Sequence, residues 1–534
     1  MLTEENNRKA AGGTEHAGTE KTPLPASSPA DKERVPDKGT RSASVKKLVR
    51  AVVFLAGLAV MLNWISAVFR YKNSDKRFMP FFEQEADYDV LFFGTSHVID
   101  AVLPLELWDE YGIASYNFGG YGMHLPATCW LIENVLDYTT PKLIMIDCSN
   151  LSSEVMSNTT VRQAHNTWDA FPLTRNKLRA FQDLLDPKDL LEFTWKFSIY
   201  HDRWEELTWE DFEPVYSIER GAVPQREVAV PADFIPISDS RKTKDNTAGA
   251  RYLRRAIELC QSRGIEVLLT YLPFPAPAYR QKEANLAADI AAEYGVRYVN
   301  FLKTEGIVNY HTDCNDAASH LNLSGARKIT SWLGRYMLEN YGISDHRGEE
   351  AYAAWDKDYT QHVLDDQAWI PIQKTLDTYL MLLADKNIGC CIYVSEGSRL
   401  LQDSRTLQLL SNVTVHASPS KLADAAGNGT EYFLFADNRS GRLWEGVGTG
   451  AFVNAETPAA QVRYEVREDG RHTLFVNSVE YPVGDSASSA DIQIIVFDSR
   501  DGSLIDTASF VVDRASLSLK ATRSKGSTAE VSSD

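Results

Sequence analysis

The spacing of apolar and polar positions changes several times along the chain, and each change marks an element or a boundary. Residues 1–47 carry Glu, Lys, Thr, Pro and Gly with almost no large apolar groups, which predicts a disordered tail. Residues 48–69, LVRAVVFLAGLAVMLNWISAVF, form an apolar run of bilayer length with Arg50 near its start and Trp64 near its end. This predicts a transmembrane helix. A secretory signal peptide fits less well, because the polar segment before the run is too long and no small-x-small cleavage site follows. Residues 71–86 read as a short stalk.

From Asp87 the pattern alternates. YDVLFFG, SYNFGG and KLIMID are short runs rich in β-branched and aromatic residues, separated by helical spacing at 104–111 and 126–136. The alternation resumes with helix 248–263, strand EVLLTYL, helix 280–294, strand RYVNF and helix 324–340. Strands alternating with helices of this length predict an α/β domain over 71–345, a three-layer parallel sheet with helices on both faces. Residues 151–245, polar and Trp-rich, read as an insert of helices and loops over the sheet's edge. Ligands bind such sheets beyond the carboxyl ends of the strands, the rim on which Ser96 and Asn117 fall. Residues 346–386 read as a helical linker, helical from about Trp355 to Ala384. From 387 to 513, the short runs CCIYV, TEYFLFA, HTLFV, IQIIVF and ASFVV between Gly, Asn and Asp turns predict a β-rich accessory domain. Residues 514–534, rich in Ser, Lys and Thr, read as a second disordered tail.

Composition narrows the function classes. A chain of 534 residues has room for two or three domains. A net charge of -18 argues against a broad nucleic-acid footprint, which needs a basic surface. The six cysteines, 129, 148, 260, 314, 390 and 391, have neither CxxC nor Cys/His metal spacing. They suggest no disulfide scaffold; Cys390 and Cys391 would point to opposite faces of one strand. No cofactor motif stands out. Basic residues flank the apolar run on both sides: Lys46, Lys47 and Arg50 before it, Arg70, Lys72, Lys76 and Arg77 after it. Charge therefore does not orient the span. The expected arrangement is a single pass in the cell membrane, with the short tail cytoplasmic and the large domain outside.

The candidate chemistry lies at two places far apart in sequence. Ser96, in Val-Leu-Phe-Phe-Gly-Thr-Ser-His, follows a buried strand and a glycine turn that exposes a hydroxyl. His320, in Asp-Ala-Ala-Ser-His-Leu-Asn-Leu-Ser-Gly-Ala, sits in a polar loop just before a helix. A serine, an imidazole to take its proton and a carboxylate to orient the imidazole make the minimal kit for nucleophilic acyl transfer. Asp316 or Asp313 would be the carboxylate. The turn Asn117-Phe-Gly-Gly-Tyr-Gly122 would let a backbone N–H approach an oxyanion closely, and Asn150 offers a side-chain amide. Plainer readings exist: Gly94 and Gly122 as turn glycines, and Ser324 as the N-cap of the last helix. His97 would touch substrate or pack beside the turn. His201 and Arg203 would contact substrate from the insert, or belong to a helix whose buried stripe is Trp204 and Leu207. His311, Asp313, Asp316 and His320 lack the usual spacing of metal ligands, so no metal site is expected.

Ser96, Gly122, Asn150 and His320, in this order, resemble the blocks of the SGNH (GDSL-like) hydrolase family over roughly residues 87–343. Gly-Thr-Ser-His stands where the family more often has Gly-Asp-Ser, Gly122 lies five residues after Asn117, and His320 is followed by Leu-Asn and Gly325. The chain departs from the family in two places. Three residues before His320 stands Ala317, with Asp316 one further, and Ser149 replaces the glycine before Asn150. The resemblance implies a flavodoxin-like sheet and a serine esterase or O-acyltransferase. Ser96, His320 and Asp316 would be catalytic, and Ser96, Gly122 and Asn150 would line the oxyanion hole. Because anchored members of the family act on envelope polymers, it also implies acyl esters of a cell-envelope glycan as substrate and a membrane-embedded acyltransferase as partner. The competing expectation is a catalytically silent scaffold that presents the β-rich domain to an envelope partner. Ile492 to Phe510 resembles the closing hairpin of the interleukin-like EMT-inducer domain, which implies a binding role for residues 387–513.

Overall fold

The computed structural model describes residues 38–84, 86–229, 240–316, 320–467, 471–484, 490–513 and 521–524. The first compact unit, Met1–Trp64, holds most of the helix Lys38–Phe69. Its part Val45–Phe69 is long and apolar enough to cross a membrane. The helix begins inside the segment expected to be disordered; residues 1–37 of that segment lie outside the described residues.

The second unit, Ile65–Asp534, is built on two kinds of sheet. The first comprises β1 (Val90–Gly94), β2 (Ser115–Gly119), β3 (Leu143–Asp147), β4 (Glu266–Tyr271) and β5 (Arg297–Asn300), in the order β2-β1-β3-β4-β5. Every neighbouring pair is parallel. The alternation within each strand sets the layers. Leu91, Phe93, Ile144, Ile146 and Leu269 face one core, with helices 125–135, 248–262 and 278–294. Val90, Phe92, Leu143, Met145 and Leu268 face the other, with helices 96–101, 104–111 and 323–341. Both faces are covered, so β1 and β3 are buried at every position. Residues 161–212 form short helices, the first of which packs on helix Asn73–Glu83.

The second kind of sheet is antiparallel. β6 (Ile388–Val394), β7 (Tyr432–Asp437) and β8 (Arg442–Val447) join β13 (Ile492–Asp498), β14 (Leu504–Val512) and β15 (Ala521–Arg523) in a six-stranded sheet. β9 (Phe452–Glu456), β10 (Gln461–Val466), β11 (His472–Val476) and β12 (Val479–Tyr481) form a four-stranded one. Phe433, Phe435 and Phe497 of the first meet Val462, Tyr464 and Leu474 of the second in one core. Cys390 belongs to the helix-covered core and Cys391 to the sheet-covered core, so neighbouring cysteines point to opposite faces of β6. All six cysteines are free and buried. β15 falls within the segment expected to be a frayed tail, whose residues 514–520 and 525–534 lie outside the described residues.

The single helix expected between Trp355 and Ala384 is two helices, Ala353–Ala368 and Leu376–Leu382, with Pro371 in the break. The first stacks Trp355 near Trp108, ring centroids 5.4 Å apart, and Asp356 accepts from Trp108 Nε1 at 2.9 Å. A charged knot secures the junction. Arg327, from helix 323–341, donates to Glu106 (2.7 Å), Asp366 (2.8 Å) and Asp385 (2.6 Å). These carboxylates lie in the α/β region, in the linker helix and just before β6, and all three are almost fully buried. Removing one partner from a buried ionic group strands the others without compensation. Arg327→Ala is therefore expected to cost about 3–5 kcal/mol of stability, read as a lowered denaturant midpoint; a midpoint equal to wild type would show that the junction does not depend on this guanidinium.

Candidate active site

Chain direction alone brings the candidates to one rim, because β1, β2, β3 and β4 all end on the same side of a parallel sheet. β1 ends in Gly94, whose φ of 155° lies in the glycine-favoured range. A Cβ there would lie 2.6 Å from Val98 Cγ2 and 2.7 Å from the Asp147 Cβ. Only glycine lets the chain turn this closely past β3. Thr95 then caps the helix Ser96–Ala101, its side chain accepting from His97 N at 3.3 Å. Ser96 is thus the first helical residue, half-buried, and its own N–H has no backbone acceptor among the described residues.

His320 reaches this rim from 224 residues away: its Nε2 lies 2.8 Å from Ser96 Oγ. Its Nδ1 lies 2.8 Å from Asp316 Oδ2, and its backbone N–H donates to Asp316 Oδ1 at 3.0 Å. With a carboxylate on Nδ1, that nitrogen carries the proton and Nε2 is left to accept from the serine. Local sequence sets this geometry. Cys314 and Leu321 form an antiparallel bridge. Asn322 caps the following helix through Gly325 N, and its Nδ2 donates to Thr312 O at 2.8 Å. The cap is Asn322, not Ser324, whose hydroxyl donates to Asp313 Oδ1 at 3.1 Å.

The geometry separates the two aspartates. Asp313 is fully buried and receives Lys328 Nζ at 2.9 and 2.7 Å, as well as Asn309 N and the Ser324 and Thr312 hydroxyls. Asp316 is the carboxylate on the imidazole; Ala317 lies outside the described residues. His311 is exposed, so the four residues weighed as metal ligands do not converge.

The glycine turn borders the turn that carries Ser96. Gly120 N donates to Gly94 O at 2.9 Å, and Met123 N to Gly120 O at 3.2 Å. Gly122, at φ 53°, spends its carbonyl on Thr159 N, while its N–H has no backbone acceptor among the described residues. Asn150 adopts a left-handed φ of 67°. Its Oδ1 accepts from Arg280 Nη1 at 2.7 Å, and its Nδ2 donates to Met123 O over a long 3.5 Å. Ser149 donates its N–H to Asp147 Oδ2 at 3.2 Å.

No family model matches this chain, and neither does any curated protein. Geometry must therefore carry the functional reading.

His97 packs beside the site, its ring centroid 5.3 Å from that of His320 and 4.6 Å from that of Phe274. Desolvation, then the neighbouring His320 ring, pushes its pKa down to about 3, which keeps it neutral. His201 and Arg203 are not brought here. His201 is exposed, and Arg203 turns inward, donating to Phe69 O and pairing with Asp211 at 3.3 Å. The buried stripe expected at Trp204 and Leu207 does not form, with Leu207 only half-buried. Trp204 is 65% exposed while Arg203 is buried, because the segment is a single 3₁₀ turn with no helical face.

Two residues near the site are absent from the sequence-based set. Arg280 orients Asn150 and pairs with buried Glu283 at 2.9 Å. It follows β4 by a short Pro-rich link, so its place on the rim is the signal that could have found it. Asp100, one turn beyond Ser96, is 4% exposed and accepts from Gln225 at 3.0 Å. Burial pushes Asp100 up to about 6, opposed by the nearby His320. A carboxyl with a raised folded-state pKa stabilises the fold fully below its unfolded value, and that contribution is lost as pH rises through about 6. Asp100→Asn keeps an acceptor for Gln225 and cannot ionise. It should therefore gain about 3 kcal/mol relative to wild type above pH 7 and little near pH 4. Unfolding midpoints from pH 4 to 8 test this, and a difference independent of pH would contradict it.

Proposed function

We propose that this protein is a membrane-anchored serine esterase or O-acyltransferase with an SGNH hydrolase-like fold, acting outside the cytoplasm on acyl esters of a cell-envelope glycan. One observation carries the reading. Ser96, His320 and Asp316 form a continuous hydrogen-bonded chain at the carboxyl rim of a parallel sheet, with contacts of 2.8 Å on both sides of the imidazole. The glycan and the anchored setting rest on the resemblance and on the apolar helix Val45–Phe69.

Ser96 Oγ attacks the acyl carbonyl while His320 Nε2 takes its proton, and Asp316 holds the imidazolium that forms. The charge on the carbonyl oxygen meets the N–H groups of Ser96 and Gly122 and the Asn150 amide. His320 then returns the proton to the leaving alcohol as the C–O bond breaks, leaving an acyl group on Ser96. Water or a sugar hydroxyl, deprotonated by His320, collects the acyl group and frees the serine. A membrane-embedded acyltransferase is the partner that would supply the acyl group when a sugar is the acceptor.

The test is fluorophosphonate labelling and p-nitrophenyl acetate turnover by the full chain in detergent. Wild type should label at Ser96, and Ser96→Ala and His320→Ala should lose turnover roughly 10⁴-fold or more. Asp316→Asn should lose a similar factor in kcat. Asp313→Asn should keep kcat within a few-fold but lose about 2 kcal/mol of stability, since Lys328 then lacks its buried partner. Turnover by Ser96→Ala equal to wild type removes the serine mechanism and leaves the scaffold reading. Orientation has its own measurement: alkaline phosphatase fused after residue 534 should be active in cells, and an inactive fusion reverses the proposed sidedness.

A further inference from the structure

A cleft of about 640 Å³ lies against the catalytic rim, lined among others by Lys76, Arg77, Tyr121, Arg162, Gln163 and Glu219. Its charge is lopsided. Arg77 is 6% exposed, and no carboxylate among the described residues pairs with its guanidinium. Its Nε and Nη2 donate to Gly221 O at 2.8 and 2.6 Å, and Nη2 also to Gly119 O at 2.9 Å. Nη1 has no acceptor among the described residues and is the group this arginine has left for the cleft it lines. Arg162 is exposed and forms no ion pair among the described residues; its guanidinium lies over the Tyr71 ring, 5.6 Å from the centroid. Lys76 meets only the exposed Glu210, a pair weakened by solvent. Glu219, the one acid among the lining residues, is taken by His362 at 2.9 Å.

Buried Asp100 acts on Arg77 electrostatically but forms no direct ion pair with it, so an anion in the cleft would be the first to bond this guanidinium. The fork of N–H donors in arginine fits carboxylate and phosphate. Asn73, Gln163 and Asn166 add groups suited to hydroxyls, and Tyr121 adds an aromatic face. The cleft shares its walls with the nucleophile turn. Gly119, held by Arg77, pairs in register with Gly94, and Tyr121 immediately precedes Gly122. Val223, from the far wall, donates its N–H to Ile99 O in the helix that Ser96 begins.

We propose that this cleft binds an anionic saccharide, a sugar bearing carboxylate or phosphate, and so presents an ester of that polymer to Ser96. The link to Ser96 rests on the acyl-transfer reading above; the binding itself does not. The amide and hydroxyl groups of Asn73, Gln163, Asn166 and Ser217 favour a saccharide over a lipid headgroup.

The test is calorimetric titration of the full chain, in neutral detergent, with trigalacturonate, with a glycerol-phosphate oligomer and with maltotriose. At least one anionic oligomer should bind ten-fold or more tightly than maltotriose, and more weakly as salt rises. The double variant Lys76→Gln/Arg162→Gln changes only residues with solvent-accessible side chains and should weaken that binding at least ten-fold. Arg77→Lys, which keeps the charge and loses the fork, should weaken it as well. Equal affinity for maltotriose, undiminished binding by the double variant, or no binding of either anionic oligomer overturns the proposal. Binding of phosphatidylglycerol micelles without either oligomer also overturns it and assigns the cleft to a lipid headgroup. The two readings fail separately: labelling at Ser96 without saccharide binding removes the cleft's role alone, and saccharide binding without labelling removes the acyl-transfer reading alone.

Discussion

The carboxamide of Asn117 is fully buried in the middle of β2. Its nitrogen donates to Val98 O at 2.7 Å and Val102 O at 2.8 Å, and its oxygen accepts from Gly119 N at 2.9 Å. These three bonds fasten the helix that begins with Ser96 to the turn that holds Gly122. A helix of six residues has no stability of its own, since nucleation in so short a segment is unfavourable. The direction of the serine is therefore imposed from outside, by this amide on one side and by Thr330 on the other, which receives Leu103 N and donates to Ala101 O. An apolar side chain at 117 would take these bonds away, and Val98 O alone would keep a partner in Val102 N, which is why an amide sits in an otherwise apolar strand.

The surroundings of His320 set its charge balance. Asp316 faces the imidazole and neutral His97 packs beside it. Asp100 adds a second carboxyl close enough to feel His320, but burial makes it reluctant to ionise. Arg280 contributes the permanent positive charge on the other side, through Asn150. The developing oxyanion would thus meet a polarised amide, while the imidazolium would meet a carboxylate, the separation that acyl transfer needs.

Ser96 and His320 are legible in the sequence because each is announced locally, one by a buried strand and glycine turn, the other by a polar loop before a capped helix. Asp313 and Asp316 lie in the same loop, and no local signal separates them. The distinction depends on Lys328 and Ser324 claiming Asp313 from the next helix. Arg280 and Asp100 matter through partners 130 and 125 residues away, a relation no spacing rule carries. The parallel sheet is legible because its strands are short buried runs separated by helices, whereas the order β2-β1-β3-β4-β5 is set by pairing between distant segments that no single run announces. The strands β8 to β10 are harder to see because one face is solvated: Phe452, in β9, is 57% exposed. Arg203 misleads because a charged residue in an insert suggests solvent, yet here it anchors the chain after Phe69.

The helix Leu323–Tyr341 connects these themes. It starts three residues after His320, its cap Asn322 pins the hairpin that carries Asp316, and Thr330 on its second turn holds the end of the Ser96 helix. Between cap and threonine stands Arg327, bound to carboxylates from the α/β region, the linker and the turn just before β6. A shift of this helix along its axis would lengthen the contact between His320 and Ser96 and break the charged junction together. Held by buried ion pairs on one turn and by side-chain hydrogen bonds on its neighbours, the helix has little freedom to do so. The antiparallel region is thus part of what fixes the 2.8 Å contact between serine and imidazole, although none of its own residues enters that contact.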